Sequence, residues 1–144
     1  MLLFTTKFKE WLTAVKLERS YTKEEIIALY FNKFDFLYGA NGIKTAAEIY
    51  YKKTPSNLSI TEAAMLVRML KNPDLYNPKK FPEKAKKGRE QVLRNMFDAG
   101  KITEEEYHHY RQLPIDMSNF GTSDHNDGMA THFRMYMRDH IKIF

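Results

Sequence analysis

Three times along the chain a hydroxyl residue stands three positions ahead of a glutamate, at the front of an apolar run: Thr22 with Glu25, Ser59 with Glu62, and Thr103 with Glu106. Each pair is a capping box. The hydroxyl accepts from the backbone N–H of the glutamate, and the carboxylate reaches back to the N–H of the capping residue. Three such starts commit the chain to helices. The apolar residues around them recur at intervals of three and four rather than two, the period of a half-buried helix.

The same reasoning places the remaining elements. A first helix over Lys7 to Arg19 carries Phe8, Trp11, Leu12 and Val15 on one face, with Lys7, Glu10 and Leu17 elsewhere. The second begins at Thr22 and runs through Ile26, Ile27, Leu29 and Tyr30 towards Phe34, until the Gly-containing turn 38–42 ends it. A third covers Ile43 to Lys52. The fourth opens at Ser59 and passes Leu70, where Lys71-Asn72-Pro73 stops it. Residues 74–81 read as a loop. Pro82 suits the first turn of a fifth helix, which Gly100 caps. A sixth, short helix follows Thr103 through Tyr110. Residues 114–128 are polar and irregular, and 129–144 are expected as a helix without a cap signal. No strand is expected, so the fold class is mainly α.

Composition narrows the function classes. A length of 144 residues with 43% hydrophobic and 28% charged residues fits one globular domain. With no cysteine, disulfides, thiolate zinc sites and cysteine nucleophiles are excluded. The formal net charge of +5 suits an anionic partner. No apolar run approaches the ~20 residues that span a bilayer. Met1 to Phe4 is too short for a signal peptide, so any membrane anchor is expected outside these residues.

Lys7 and Glu10 are three residues apart on a polar helix side. A carboxylate there suits acid–base work beside an ammonium that holds an anion. The same spacing also describes an ordinary surface pair contributing ~0.2–0.5 kcal/mol. The stretch from Lys79 to Lys101 holds eight basic residues against three acids. It reads either as an anion-binding face or as a solvated one. No nucleic-acid motif accompanies it, and nucleic acid is not expected as a partner. His108 and His109 point about 100° apart on a helix and do not share a metal easily. His125 with Asp124 and Asp127 is better explained by turn chemistry, so no metal site is expected. Met65, Met69 and Met96 fall at packing positions.

The ordered strings carry more than any single motif: Lys7-Phe8-Lys9-Glu10-Trp11, Tyr21 through Asn32, Gly39-Ala40-Asn41-Gly42-Ile43, Glu62-Ala63-Ala64, Tyr76-Asn77-Pro78, Arg89 through Leu93, and Ile102 through Tyr107. In order and spacing they resemble the second half of the peptidoglycan glycosyltransferase domain, the family 51 module of class A penicillin-binding proteins. The resemblance spans about residues 5 to 113. It implies a lysozyme-like helical domain over residues 1–113, of which this is a fragment. Residues 114–144 then resemble the start of a linker towards a transpeptidase domain.

Of the family's five motifs, the first (E-D-x-x-F-x-x-H-x-G, with the principal catalytic glutamate) and the second (G-G-S-T-I-T-Q-Q) do not occur in these residues. Residues 7–10 match the third, R-K-x-x-E. Residues 23–32 match the fourth, K-x-x-I-L-E-x-Y-L-N, and residues 88–93 match the fifth, R-R-x-x-V-L. The resemblance implies polymerisation of a lipid-linked disaccharide onto a glycan strand, with a lipid pyrophosphate leaving. Lys7 would offset charge on the pyrophosphate. Glu10 would orient Lys7 or assist at the leaving group, as a catalytic carboxylate. Lys23, Tyr30, Asn32 and Arg89 match cleft and scaffold positions. A divalent cation at the pyrophosphate is compatible with this chemistry, but no protein ligand motif accompanies it and no other cofactor is implied. The partners implied are the lipid-linked precursor, the glycan strand and, through the parent protein, a membrane surface at the outer face of a bacterial inner membrane.

Several positions depart from the pattern. Thr6, Ala28 and Gly88 replace Arg, Glu and Arg, and Gly88 inside a helix costs ~1 kcal/mol against Ala. Leu37, Lys52, Arg68 and Leu70 stand where Gly or Pro is common. Without the base of the first motif, the isolated chain is expected not to transfer sugar. A core shared with a further half-domain would leave Phe8 and Trp11 exposed, and aggregation or dimerisation would follow. Two rivals remain: a non-catalytic basic module for membrane or envelope partners, and a lysozyme-like hydrolase using Glu10 with Glu18, Asp35 or Glu48 as second carboxylate.

Overall fold

The computed structural model describes residues 2–121. The elements expected over 129–144, and the His125 cluster, lie outside the described residues. Among the described residues six α-helices appear in order: α1 (Leu2–Ser20), α2 (Lys23–Lys33), α3 (Ile43–Tyr51), α4 (Ile60–Met69), α5 (Pro82–Asp98) and α6 (Glu104–Gln112), with a 3-10 turn at Pro55–Asn57. Among the described residues the one extended pairing is an isolated bridge between Asp35 and Asn41. All three capping boxes form with both reciprocal bonds, at the starts of α2, α4 and α6. The first helix is longer than expected, since nothing between Leu2 and Lys7 breaks it.

The main core is built by α3 and α4 with the turn before α3: Phe36, Ala46, Ile49, Tyr50, Met65, Leu66 and Met69 are all buried. Ala85 on α5 joins it. A second cluster of Ala64, Leu93, Ile102 and Tyr107 welds α4, α5 and α6 together. Small alanines share each cluster with a larger leucine, Ala85 with Leu66 in the first and Ala64 with Leu93 in the second.

The turn between α2 and α3 is tightly constrained. Leu37, Tyr38 and Gly39 have φ of 68°, 54° and 78° in succession. The Asp35 carboxylate accepts the Leu37 N–H at 2.8 Å, and a Tyr38–Asn77 hydrogen bond of 3.1 Å holds the turn to the α4–α5 loop. Gly42 follows at φ +83°, where a Cβ would stand 2.7 Å from the backbone oxygen of Asn32. Glycine is required there by conformation and by space.

Residues 113–121 run back over the core. Ile115, Met117 and Phe120 pack against it. The Phe120 ring sits edge-on to Tyr38 and Tyr50 at 5.2 and 5.3 Å, and the Gly121 N–H donates to the Ile49 carbonyl at 3.0 Å.

The α1–α2 arm is different. Phe8 and Trp11 are each 60% exposed, and Leu12, Ile27, Leu29 and Tyr30 are exposed as well. α2 buries no residue. The arm's apolar stripe therefore has the period of a packed helix face with no cover among the described residues.

Candidate active site

The helix period brings Lys7 and Glu10 onto neighbouring turns of α1, and the Lys7 ammonium meets Glu10 Oε2 at 2.8 Å. Both side chains are open to solvent, at 74% and 57%. As an exposed pair it contributes at most ~1 kcal/mol to stability. What it offers is an ammonium whose position is fixed by a carboxylate and whose remaining protons point to solvent, the arrangement that an anionic group would meet. Phe8 and Trp11, their rings 5.9 Å apart, lie beside the pair on α1.

Lys23 begins α2, past the elbow at Tyr21. It lines a cavity of about 440 Å³ with Glu18, Tyr21, Ile26 and Ile27. Glu10 and Ser20 are ten residues apart on α1, about 15 Å at the helical rise. The structure thus does not gather Lys7 and Glu10 with Lys23. Tyr30 is half-exposed and its ring packs on Phe34 at 5.7 Å. Asn32 uses its backbone, not its side chain, as the floor against which Gly42 closes.

Arg89 is in a separate place, 2% exposed. Its guanidinium donates to the Leu113 carbonyl and, at 3.2 Å, to the Pro114 carbonyl, while its buried Nε has no partner. Burial lowers its pKa below the usual arginine range, partly opposed by Tyr51 and Glu90. It borders a cleft of about 220 Å³ with Tyr51, Ser59, Glu62 and Asp116. In that cleft the Glu62 carboxylate takes a 2.8 Å bond from Lys53 and a 2.7 Å bond from the Ser59 N–H. Burial alone would raise the Glu62 pKa, but these donors outweigh it and the net shift is downward.

Sequence reasoning did not find the cluster of Arg68, Tyr76 and Gly88. The Arg68 guanidinium lies 3.9 Å from the centroid of the Tyr76 ring and donates to the Tyr76 hydroxyl. A Cβ at position 88 would meet Arg68 Cγ and Tyr76 Cδ1, each at 2.7 Å. The helix-propensity cost expected for Gly88 is overridden, because an alanine would collide. The signal was present: Arg at 68 and Gly at 88 are both departures from the family pattern, and a large residue in one place needs a small one facing it.

Among the hydrolase candidates, Glu18 stands eight residues beyond Glu10 on α1, about 12 Å along the axis, outside the ~5–9.5 Å that paired glycosidase carboxylates need. Asp35 is committed to its turn.

Comparison with known proteins gives one family. A family model described as Transglycosylase matches residues 3–97. The chain is 40% identical over 109 residues to penicillin-binding protein 1A of Aquifex aeolicus, covering 76% of this chain and 15% of that protein. It is 43% identical over 100 residues to penicillin-binding protein 1A of Neisseria flavescens, covering 69% and 12%. The crystal structure of penicillin-binding protein 1A from Haemophilus influenzae superposes with a TM-score of 0.65 at 30% identity, over 83% of this chain and 17% of that one. The chain thus spans less than a fifth of the length of each of these relatives.

Proposed function

The chain belongs to the transglycosylase family, and from that premise we propose that it carries the leaving-group side of a peptidoglycan glycosyltransferase. The substrate is a lipid-linked disaccharide-peptide, and the product is a longer glycan strand. The observation that carries this reading is the Lys7–Glu10 pair, solvent-facing at 2.8 Å inside the matched segment.

The acceptor hydroxyl attacks the anomeric carbon of the strand and the bond to the lipid pyrophosphate breaks. Negative charge grows on the departing oxygens. Lys7 offsets it, and the gain is largest where water is excluded. Glu10 holds the ammonium in place by its 2.8 Å bond, and acts as the catalytic carboxylate of this half of the site. Lys23, Tyr30 and Asn32 shape the cleft wall along α2. Arg89 is scaffold. A divalent cation, where present, would ride on the pyrophosphate itself. The transferase portion takes in the segment 113–121, which packs on its core, rather than ending at residue 113, and the residues after it lead towards a further domain. The setting is the membrane surface of a bacterial envelope, where a lipid-borne substrate resides.

Removal of the hydroxyl proton falls to a general base outside these 144 residues, because the motif that supplies it does not occur in them. The test is polymerisation from the lipid-linked precursor by three proteins: this chain, the chain joined to a family N-terminal half, and the joined form with Glu10→Gln. Activity is expected in the joined form alone, with a loss of roughly a hundredfold or more for Glu10→Gln. Polymerisation by the isolated chain, or full activity of the Glu10→Gln form, would overturn the assignment.

A further inference from the structure

The loop between α4 and α5 combines two features that do not usually coincide. It is rigid, and it presents apolar side chains to solvent. Asn77 is fully buried, and its side-chain oxygen accepts the N–H groups of Lys79 and Lys80 at 3.0 and 3.2 Å. Its amide nitrogen donates to the Tyr38 hydroxyl at 3.1 Å. Asn72 fixes the Leu75 N–H at 2.9 Å, and Pro73, Pro78 and Pro82 restrict the backbone further. On this frame Leu75 is 38% exposed and Phe81 is 44% exposed.

Around them the charge is one-sided. Residues 71–87 hold six lysines and two acids. Lys79, Lys80, Lys84 and Lys87 are exposed. The Lys80 ammonium lies 3.6 Å from Asp74, which ties the first turn of the loop to the last and brings the neighbours of Leu75 and Phe81 together. The Lys84 ammonium lies 5.1 Å from the Phe81 ring. Lys84 and Lys87 are three residues apart on α5, Lys87 opposite the buried Ala85 and Arg89 and Lys84 at the edge of that exposed side, while Lys80 stands just ahead of the helix.

We propose that this loop and the first turns of α5 form a contact site for an anionic phospholipid surface. Leu75 and Phe81 would enter the boundary between headgroups and acyl chains, while the lysines lie along the phosphates. Their long aliphatic stems allow the ammonium groups to reach headgroup level while the apolar side chains sit deeper. The lysine excess of residues 71–87 with Leu75 and Phe81 exposed among it matches a layer of phosphates over an apolar layer. An acidic protein with an apolar patch of its own is the alternative that the test separates. The inference deepens the membrane-surface part of the function proposed above and does not use the transfer chemistry.

The test is co-sedimentation of the full 144-residue chain with vesicles of phosphatidylcholine alone and with a quarter phosphatidylglycerol. Binding is expected only to the anionic vesicles, and to weaken with salt. Each of Lys84→Gln and Lys87→Gln should lower partitioning roughly fivefold. The pair Leu75→Ser with Phe81→Ser should lower it by about tenfold or more. Both side chains are exposed, and a serine at 81 places a capping hydroxyl ahead of α5, so the fold is kept; circular dichroism checks this.

A parallel variant, Phe8→Ser with Trp11→Ser, separates this site from the apolar stripe of α1. If that variant loses binding and the loop variant does not, α1 is the membrane face and the present inference is overturned, while the membrane-surface reading stands. Equal binding to both vesicle types overturns it. So does binding to polyglutamate without binding to vesicles, which assigns the patch to an acidic protein. Failure of the polymerisation test leaves this result untouched, because vesicle binding requires no turnover.

Discussion

Arg68 lies across Gly88: a Cβ on the glycine would stand 2.7 Å from Arg68 Cγ and equally close to Tyr76 Cδ1. Neither neighbour moves freely, since the Arg68 guanidinium is stacked on Tyr76 and bonded to its hydroxyl. Gly88→Ala gains up to ~1 kcal/mol of helix propensity but forces a packed pair apart, which typically costs about 1–3 kcal/mol. With the full propensity gain, a net loss of up to ~2 kcal/mol is expected. In an Arg68→Ala background the loss should shrink. Urea unfolding of the four proteins in the cycle measures the coupling.

At Gly42 the obstacle is backbone rather than side chain. Its φ of +83° and ψ of 161° lie in a region essentially reserved for glycine, and a Cβ would meet the Asn32 carbonyl oxygen at 2.7 Å. Gly42→Ala should cost about 3 kcal/mol or more, the sum of a conformational term and a clash. Thermal unfolding should show the largest fall in Tm among the glycine variants.

Lys52 closes α3 in the left-handed region, with φ 53° and ψ 37°. Its main side-chain bond is a long one, 3.4 Å to the Gly121 carbonyl. Lys52→Gly relieves the backbone cost at a helix end where glycine is preferred, and should stabilise by ~0.5–1 kcal/mol. A lower stability in chemical denaturation would mean that the bond to Gly121 outweighs the backbone term.

Arg89 grips two adjacent carbonyls from one planar group. Lysine has a single donor centre and cannot span both. Arg89→Lys should cost about 1–2 kcal/mol, and Arg89→Met about 2–3 kcal/mol, because buried carbonyls are left without donors. Hydrogen exchange at residues 113–121 should accelerate in both variants before global stability is lost.

Glu62 sets an acid limit. Its pKa is lowered in the folded chain from its ordinary 4.5: burial pushes it up, and the donors from Lys53 and Ser59 more than reverse this. A depressed carboxylate stabilises the fold above its unfolded pKa, and that contribution disappears as pH falls through the folded value. Stability should therefore decline below about pH 4.5. Glu62→Gln should be less stable near neutrality and flatter in acid, as Tm against pH would record.

The elements legible in the sequence are those whose determinants are local. A capping box needs four residues, and all three formed as read. The Lys7–Glu10 pair follows from helical spacing. What escaped reading depends on neighbours distant in sequence. Arg89 is one of eight basic residues from Lys79 to Lys101, and only the packing of α5 against α4 decides that it is buried. Gly88 looked like a propensity defect because its partner, Arg68, is twenty residues away. Residues 115–120 looked like polar linker, because Ile115, Met117 and Phe120 share no helical or strand period, yet each finds the core. Of the candidate site, the ammonium–carboxylate pair was legible. The separation of Lys23 from that pair was not, since it depends on the elbow at Tyr21.

The ring of Phe120 has a practical meaning for anyone trimming this polypeptide. A piece ended at residue 113 would strip Phe120 from Tyr38 and Tyr50, remove the Gly121 bond to Ile49, and leave the Arg89 guanidinium holding only the last carbonyl. Aromatic surface would be uncovered where the strained turn at Leu37 and Tyr38 depends on being held. The place to cut lies beyond residue 121.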